Sequence, residues 1–402
     1  MSLLKHPTAQ ALLADAEISA QSVRDCRQRL QRFLQRYLPC FYRVEQRALA
    51  EVVVRGKISK LERKTSEPIA YLAGRRREPV QHFVGAGLWD DEAVMAQLRR
   101  HVAQERADPD AVLVLDPSSF AKKGTASCGV ARQWCGRLGK IDNCQVGVFA
   151  AYVTAAGYAP VDRQLYLPED WAGDSKRRRR THVPEDVIFQ ERWRIALTLV
   201  ERVGADLPLG WVAGDDEFGR ASAFRAQLRF RGLRYVLDVP CNTLIRDLSE
   251  APEPGKRWPP WRRVDAWVQA QPASRWRRFD TGAGAQGPKV VRALEAWVQT
   301  KDEDGSPGPR ERLVVKRTLD REPQVWYSLS NAKAEVPLAQ VVVAHGRRHG
   351  IEELLQAGKG EVGLGQYEMR SWVGWHHHMT LSLLALWFLI LEKGRLEKKR
   401  PR

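Results

Sequence analysis

Residues 111–116 read Ala111-Val112-Leu113-Val114-Leu115-Asp116, and residues 210–215 read Gly210-Trp211-Val212-Ala213-Gly214-Asp215. Each is a short apolar run closed by an aspartate. Unbroken apolar runs are what a strand covered on both faces requires, and such strands belong in α/β proteins with parallel pairing. Working outward from the first run, Cys144 to Thr154 and Tyr158 to Leu167 read as two strands. Ala155-Ala156-Gly157 makes the turn between them, so a hairpin follows the buried strand. Val187 to Val203 is helical by period and leads into the second run. Arg220 to Arg231 is helical again, and Tyr235-Val236-Leu237-Asp238-Val239 is a further strand.

Strand, hairpin, helix, strand, helix, strand is the order of an RNase H-like mixed-sheet α/β core, assigned here to residues 109–240 and completed by 338–393. Residues 1–108 read as a helical, DNA-binding domain. Ser19 to Leu38 is amphipathic, and a second helix covers Phe41 to Ile58. Ser66-Glu67-Pro68 starts a third helix, Gly74 stops it, and Arg75-Arg76-Arg77 leads to a short helix near Val80 to Val84. Two short helices about a basic turn fit a helix-turn-helix; a plain helical bundle fits equally well. Residues 241–337 lose the α/β rhythm, become rich in Trp, Pro, Gly and Arg, and alternate later on. They are read as a β-rich insertion packed on the core. Leu338 to Lys359 reads as one helix, Met379 to Leu391 as the last core helix, and 394–402 as a basic, frayed tail.

Composition narrows the function. Sixty-five Lys and Arg against 48 Asp and Glu give a net charge of +17, which favours a polyanionic partner such as nucleic acid. The six cysteines include no CxxC pair and are read as reduced thiols, with Cys128, Cys135 and Cys144 on neighbouring strands. The amino terminus lacks the apolar core of a signal peptide, and Met379 to Leu391 is too short to span a bilayer. A cytoplasmic, nucleoid-associated bacterial protein with no membrane role is the expectation.

Asp116 and Asp215 each close a strand, and carboxylates at the carboxyl ends of neighbouring strands emerge at the edge where α/β sheets bind ligands. Such a pair can hold Mg²⁺, and two ions about 3.5–4 Å apart serve phosphodiester cleavage. A helix cap or turn is the commoner use of one such aspartate. A third carboxylate sharpens the reading. His345, Arg348, Glu352 and Lys359 fall on one stripe of a helix, with Ile351, Leu354 and Leu355 on the opposite side. That stripe presents a carboxylate flanked by cations suited to phosphates. Gly350 and Gly358 weaken the helix by about 1 kcal/mol each relative to Ala.

Leu113 to Phe120, Lys122-Lys123-Gly124, Gly129 to Gln133, Gly136 through Lys140 and Asn143-Cys144-Gln145 resemble the first catalytic block of bacterial insertion-sequence transposases of the three-carboxylate (DDE) type. Gly214-Asp215-Asp216-Glu217-Phe218-Gly219 is similar to the second block, with Asp215 rather than Asp216 at the catalytic position. Arg348, Glu352 and Lys359 match the Tyr-x2-Arg-x3-Glu-x6-Lys signature, with His345 in place of the Tyr. The match continues through Gly360 to Gly365 and Trp372 to His378.

The resemblance implies an RNase H-like core with a β-rich insertion, and cut-and-paste transposition. Asp116, Asp215 and Glu352 would hold two Mg²⁺, or Mn²⁺ as substitute. His345, Arg348, Lys359, Lys122 and Lys123 would meet DNA. The protein would bind the inverted-repeat ends of its element and target duplex as a homodimer, nick by water attack and transfer the 3′-hydroxyl. Two rival readings are a nuclease that only hydrolyses and a domesticated DNA-binding protein without catalysis.

Lys176-Arg177-Arg178-Arg179-Arg180 is read as a loop gripping a DNA backbone. His376-His377-His378 point in different directions on a helix and cannot easily share a zinc ion; a structural place at a helix start is expected, with a phosphate contact open to them. Trp326 is the tryptophan assigned to stack on an unpaired base.

Overall fold

The computed structural model describes residues 20–399 apart from 285, 286 and 303. The extreme amino terminus, part of the Gly282 to Gly287 run and the end of the basic tail lie outside the described residues. In chain order, α1 (Ala20–Gln35), α2 (Val44–Lys57), α3 (Ser66–Leu72), α4 (Arg77–Gly85) and α5 (Asp91–Arg106) come first. Then come β1 (Val112–Ala121), β2 (Ala131–Cys135), β3 (Lys140–Thr154), β4 (Gly157–Leu165), α6 (Glu169–Ala172), α7 (Ser175–Arg180) and α8 (Arg192–Asp206). Next are β5 (Trp211–Gly214), α9 (Asp216–Arg220), α10 (Ser222–Phe230) and β6 (Tyr235–Asp238). The insertion supplies β7 (Leu244–Asp247), β8 (Arg262–Arg263), α11 (Val264–Gln269), β9 (Arg277–Gly284), β10 (Gly287–Lys301), β11 (Pro307–Arg317) and β12 (Val325–Ser330). The chain closes with α12 (Leu338–Gly346), α13 (His349–Glu361) and α14 (Trp372–Lys399).

Two compact units result, one from the residues up to Leu98 with those from Ala357 on, the other from Arg99–Gln356. The sequence reading kept 338–393 with the core; instead the stretch divides, and the last helix groups with the amino-terminal helices. Burial explains this. Helix α14 is apolar around most of its circumference, with Leu381, Leu384, Trp387 and Phe388 all buried, so it needs helices around it rather than one sheet face. In that helical unit Phe33 meets Phe388 edge-on at 5.3 Å, and Arg29 is bonded to Glu392. Residues 392–399 continue the helix instead of fraying at its end. The three histidines are buried within α14, where His377 stacks on Trp89 and bonds its carbonyl. Their structural place is as expected, and burial takes them away from a DNA backbone at the surface. No described helix is long and apolar enough to cross a membrane.

The second unit is built on one mixed sheet. Strands β1, β5 and β6 are parallel neighbours, and β3 flanks β1 antiparallel with β4 beyond it. Residues 112–115 of β1 are at most 1% exposed, as their apolar run demands. The hairpin turns at Thr154 and Gly157, as expected. The insertion behaves differently. Rather than packing on the core it prolongs the same sheet, because β12 pairs with β6, β11 with β12, and β10 with β11. The open edge of β6, a short strand buried along its whole length, is thereby closed.

A buried charge cluster fastens this extension. Glu311 of β11 is fully buried and accepts hydrogen bonds from Arg225 and Arg229 of α10, each at 3.0 Å, and from the Tyr235 hydroxyl of β6. Removing one partner of a buried ion cluster leaves the others uncompensated. Glu311→Ala is therefore expected to cost about 3–5 kcal/mol, read as a lowered urea midpoint; an unchanged midpoint would count against the cluster as an anchor.

Candidate active site

Register decides the site. The last parallel pair of β1 and β5 is Leu115 with Gly214, and the last of β5 and β6 is Gly214 with Leu237. The next residues are Asp116, Asp215 and Asp238. Three aspartates thus leave the same sheet level on three adjacent strands, spaced about 4.8 Å per strand step. Asp116 does not end its strand, as the sequence reading had it; β1 runs on to Ala121, paired only with β3 there. It is the parallel pairing to β5 that ends at Leu115. Sequence spacing alone does not single out Asp238, although Tyr235-Val236-Leu237-Asp238 carries the same signal as the other two strands, an apolar run closed by aspartate.

Asp215 also caps α9, accepting the Glu217 amide at 3.1 Å. Burial, with the charges of Glu217 and Asp216 beside it, pushes its carboxyl up to about 6. Gly219 lets the α9 turn close on β6: a Cβ there would lie 1.7 Å from the Asp238 carbonyl oxygen. Asp238 has the opposite environment. Burial alone would raise its carboxyl, but His345, Arg348 and Ser328 together outweigh burial and hold it at about 2.

The single helix expected from Leu338 to Lys359 breaks between Gly346 and His349, where Gly346 and Gly350 bracket Arg347, Arg348 and His349. His345 therefore leaves the stripe. It is buried, with Nε2 2.7 Å from Asp238 and Nδ1 2.7 Å from the Lys316 amine. Lys316 can only donate, so Nδ1 accepts and Nε2–H faces Asp238. Enclosed there, His345 has no route to DNA and serves the protein interior. Arg348 lies between carboxylates, 3.3 Å from Asp238 and 3.3 Å from Glu352. Glu352, in the first turn of α13 and half exposed, is also 2.9 Å from His349 Nδ1. Ile351, Leu354 and Leu355 are buried on the opposite side, as expected. Gly350 earns its position by closeness, since a Cβ would meet Val153 of β3 at 2.9 Å. Among the described residues, no three acidic, His or Cys side chains converge as a ready-made metal cluster.

Residues 36–297 match the family described as DDE superfamily endonuclease. The chain belongs to that superfamily. It is also 25% identical, over 321 residues covering 78% of this chain and 74% of the other, to a protein described as the probable transposase for insertion sequence element IS701, from Microchaete diplosiphon. The mixed sheet with parallel β1, β5 and β6 suits a DDE endonuclease core.

The cations of this DDE endonuclease are not equivalent. Lys176 to Arg180 form the short helix α7, not a loop, capped by Asp174 accepting the Arg177 amide. Arg177 lies 3.8 Å over the Trp171 ring, and Arg178 donates to the carbonyls of Val187 and Pro184. These two are spent on the protein, whereas Lys176, Arg179 and Arg180 are exposed. Lys122 is half buried, and burial pushes its amine down to about 8; Lys123 is exposed. Trp326 carries the Lys316 amine 4.4 Å from its ring centre and meets His345 edge-on. Lys359 is half buried two turns along α13 from Glu352.

The two perturbed aspartates predict opposite behaviour. The folded value of Asp215 lies above the unfolded one, so its stabilising effect is complete below about pH 4 and lost as pH rises through 6. The folded value of Asp238 lies below, so its contribution is present at neutral pH and lost as pH falls through about 2. At pH 7 Asp215→Asn, which keeps a capping side chain, is expected to exceed wild type by about 1–3 kcal/mol, a gain that disappears near pH 4. Asp238→Asn is expected to be less stable than wild type at pH 7. Denaturant melts at the two pH values decide both, and a destabilised Asp215→Asn at pH 7 would refute the assigned environment.

Proposed function

We propose that this DDE endonuclease is an insertion-sequence transposase that cuts the inverted-repeat ends of its element and joins the freed 3′-hydroxyl to target DNA. The observation that carries the reading is the register that sets Asp116 beside Asp215 at one sheet level. Family membership and the likeness to an insertion-sequence transposase support it.

A divalent metal fits these residues. The raised carboxyl of Asp215 is buried and crowded by Asp216 and Glu217, the charge of Arg348 offsets them only in part, and Asp116 stands one strand away. Asp116, Asp215 and Glu352 would hold two Mg²⁺, with Mn²⁺ able to replace them; Glu352 would exchange Arg348 and His349 for metal. Bound metal supplies the Lewis acidity for phosphodiester cleavage. The chain's own share is positioning. Asp238, itself bonded to His345, holds Arg348, and Arg348 holds Glu352 close to the sheet edge. Lys122, Lys123, Lys359 and the exposed Lys176, Arg179 and Arg180 meet backbone phosphates, while Trp326 offers the free part of its ring to a base.

End recognition is assigned to the helical unit. Residues 71–79, between and including the ends of α3 and α4, are exposed without interruption and contain Tyr71, Arg75, Arg76 and Arg77. Helix α3 stops at Gly74 as expected, with the Gly74 and Arg75 amides returning to the Tyr71 and Ala70 carbonyls. Acting at two ends calls for a homodimer in the DNA complex.

The test is cleavage of the element's ends in Mg²⁺. Asp116→Asn, Asp215→Asn and Glu352→Gln are each expected to lower the rate at least about a hundredfold while retaining DNA binding, and Asp216→Asn to stay near wild type. Strand-transfer products distinguish the transposase from a nuclease that only hydrolyses. Full activity in any of the three variants removes that residue from the site. In binding assays, Arg179→Ala and Arg180→Ala are each expected to reduce the salt-dependence slope by about one. Arg178→Ala is expected to lower stability instead, because its guanidinium holds residues 184–187.

A further inference from the structure

The helical unit contains a cavity of about 230 Å³ whose polar lining includes Lys57, Lys64, Gln366, Tyr367, Glu368 and His378. Lys57 and Lys64 are 1% and 6% exposed. The Lys57 amine lies 3.4 Å from Nδ1 of His378, whose Nε2 is 3.1 Å from the Leu364 carbonyl. That carbonyl must accept, so Nε2 carries the hydrogen and Nδ1 accepts from Lys57. The imidazole is then neutral and cancels no charge. Lys64 donates to the Ser59 carbonyl, again a neutral partner. Glu368 is more than half exposed and bonded to Arg63. Lys57 ends α2, where the helix offers only partial negative charge.

Two buried ammonium groups therefore line one cavity with no buried carboxylate among the lining residues; the acid that acts on Lys64, Glu361, is exposed and lies outside that lining. Burial, with Lys64 adding to it, pushes the Lys57 amine down to about 7. Buried charge of this kind is costly unless an opposite charge and hydrogen bonds meet it. The group that fits accepts several hydrogen bonds at once and carries more than one negative charge. The Thr65 and Ser66 side of the cavity is polar, and Val53 and Ile69 form an apolar wall.

We propose that this cavity binds a phosphate group, with Lys57 and Lys64 as its cationic ligands. The phosphate is either free, as inorganic phosphate or a mononucleotide, or part of a DNA strand. The proposal does not rest on the transposase reading, since no sheet-edge carboxylate takes part.

The experiment uses the full chain, melted in inorganic phosphate and in chloride at equal ionic strength. Wild type is expected to show a saturable rise in Tm with phosphate. Lys57→Met keeps the aliphatic stem without the charge. It is expected to melt at or above wild type in chloride, and to bind phosphate at least about tenfold more weakly. Lys64→Met, measured alongside, is expected to weaken phosphate binding as well. A wild-type Tm that is the same in both salts overturns the proposal, and so does an undiminished phosphate response in both variants. Repeating the titration on DNA-loaded protein separates the two sources. If DNA abolishes the response and Lys57→Met weakens DNA binding, the phosphate is that of the strand. If the response persists unchanged on DNA, the phosphate is free.

Discussion

Parallel pairing of β1, β5 and β6 is the constraint on which the rest of the sheet unit depends. Because the three strands run in register and are buried on both faces, whatever follows Leu115, Gly214 and Leu237 must emerge at one level. The sequence places an aspartate at each of those positions. Nearby packing serves the same arrangement. Gly219 brings the α9 turn against the end of β6, and Gly350 brings α13 against β3. Each glycine occupies a place where a methyl group would push an element carrying a carboxylate away from its neighbour.

The three aspartates then diverge through their surroundings. Asp238 is surrounded by donors from β12, α12 and the turn before α13, so its charge is favoured in the folded protein. Asp215 is buried and faces other acids, and its charge is disfavoured. Such a division is common where function asks for a group that stability alone would not keep. Arg348 stands between Asp238 and Glu352 and transmits the first environment to the second.

The insertion belongs to this arrangement more closely than a packed appendage would. Its last strand pairs with β6, its Ser328 and Lys316 reach Asp238 and His345, and its Glu311 gathers the arginines of α10. A change in β11 or β12 is therefore felt at the sheet edge through hydrogen bonds and not only through packing.

The sequence by itself determined most of the element types, though not the short helix at 175–180, because apolar runs and helical periods report local burial directly. It determined the buried strands before Asp116 and Asp215, the hairpin after β1, the stop at Gly74 and the apolar side of α13. It also determined the superfamily, through blocks of residues whose order is local. The tertiary structure alone decided how the pieces share space. Extension of the sheet by the insertion, the assignment of α14 to the helical unit and the break after Gly346 all depend on long-range partners. So does the burial of His345: its helical stripe suggested an exposed cation, but a stripe says nothing about which neighbour covers it. The basic run at 176–180 was legible as charge, yet its division into two inward and three outward side chains was not, since carbonyls and a ring distant in sequence made the choice. Asp238 shows both limits at once. Its strand-end signal was visible in the chain, and only the register of three strands gave that signal its meaning.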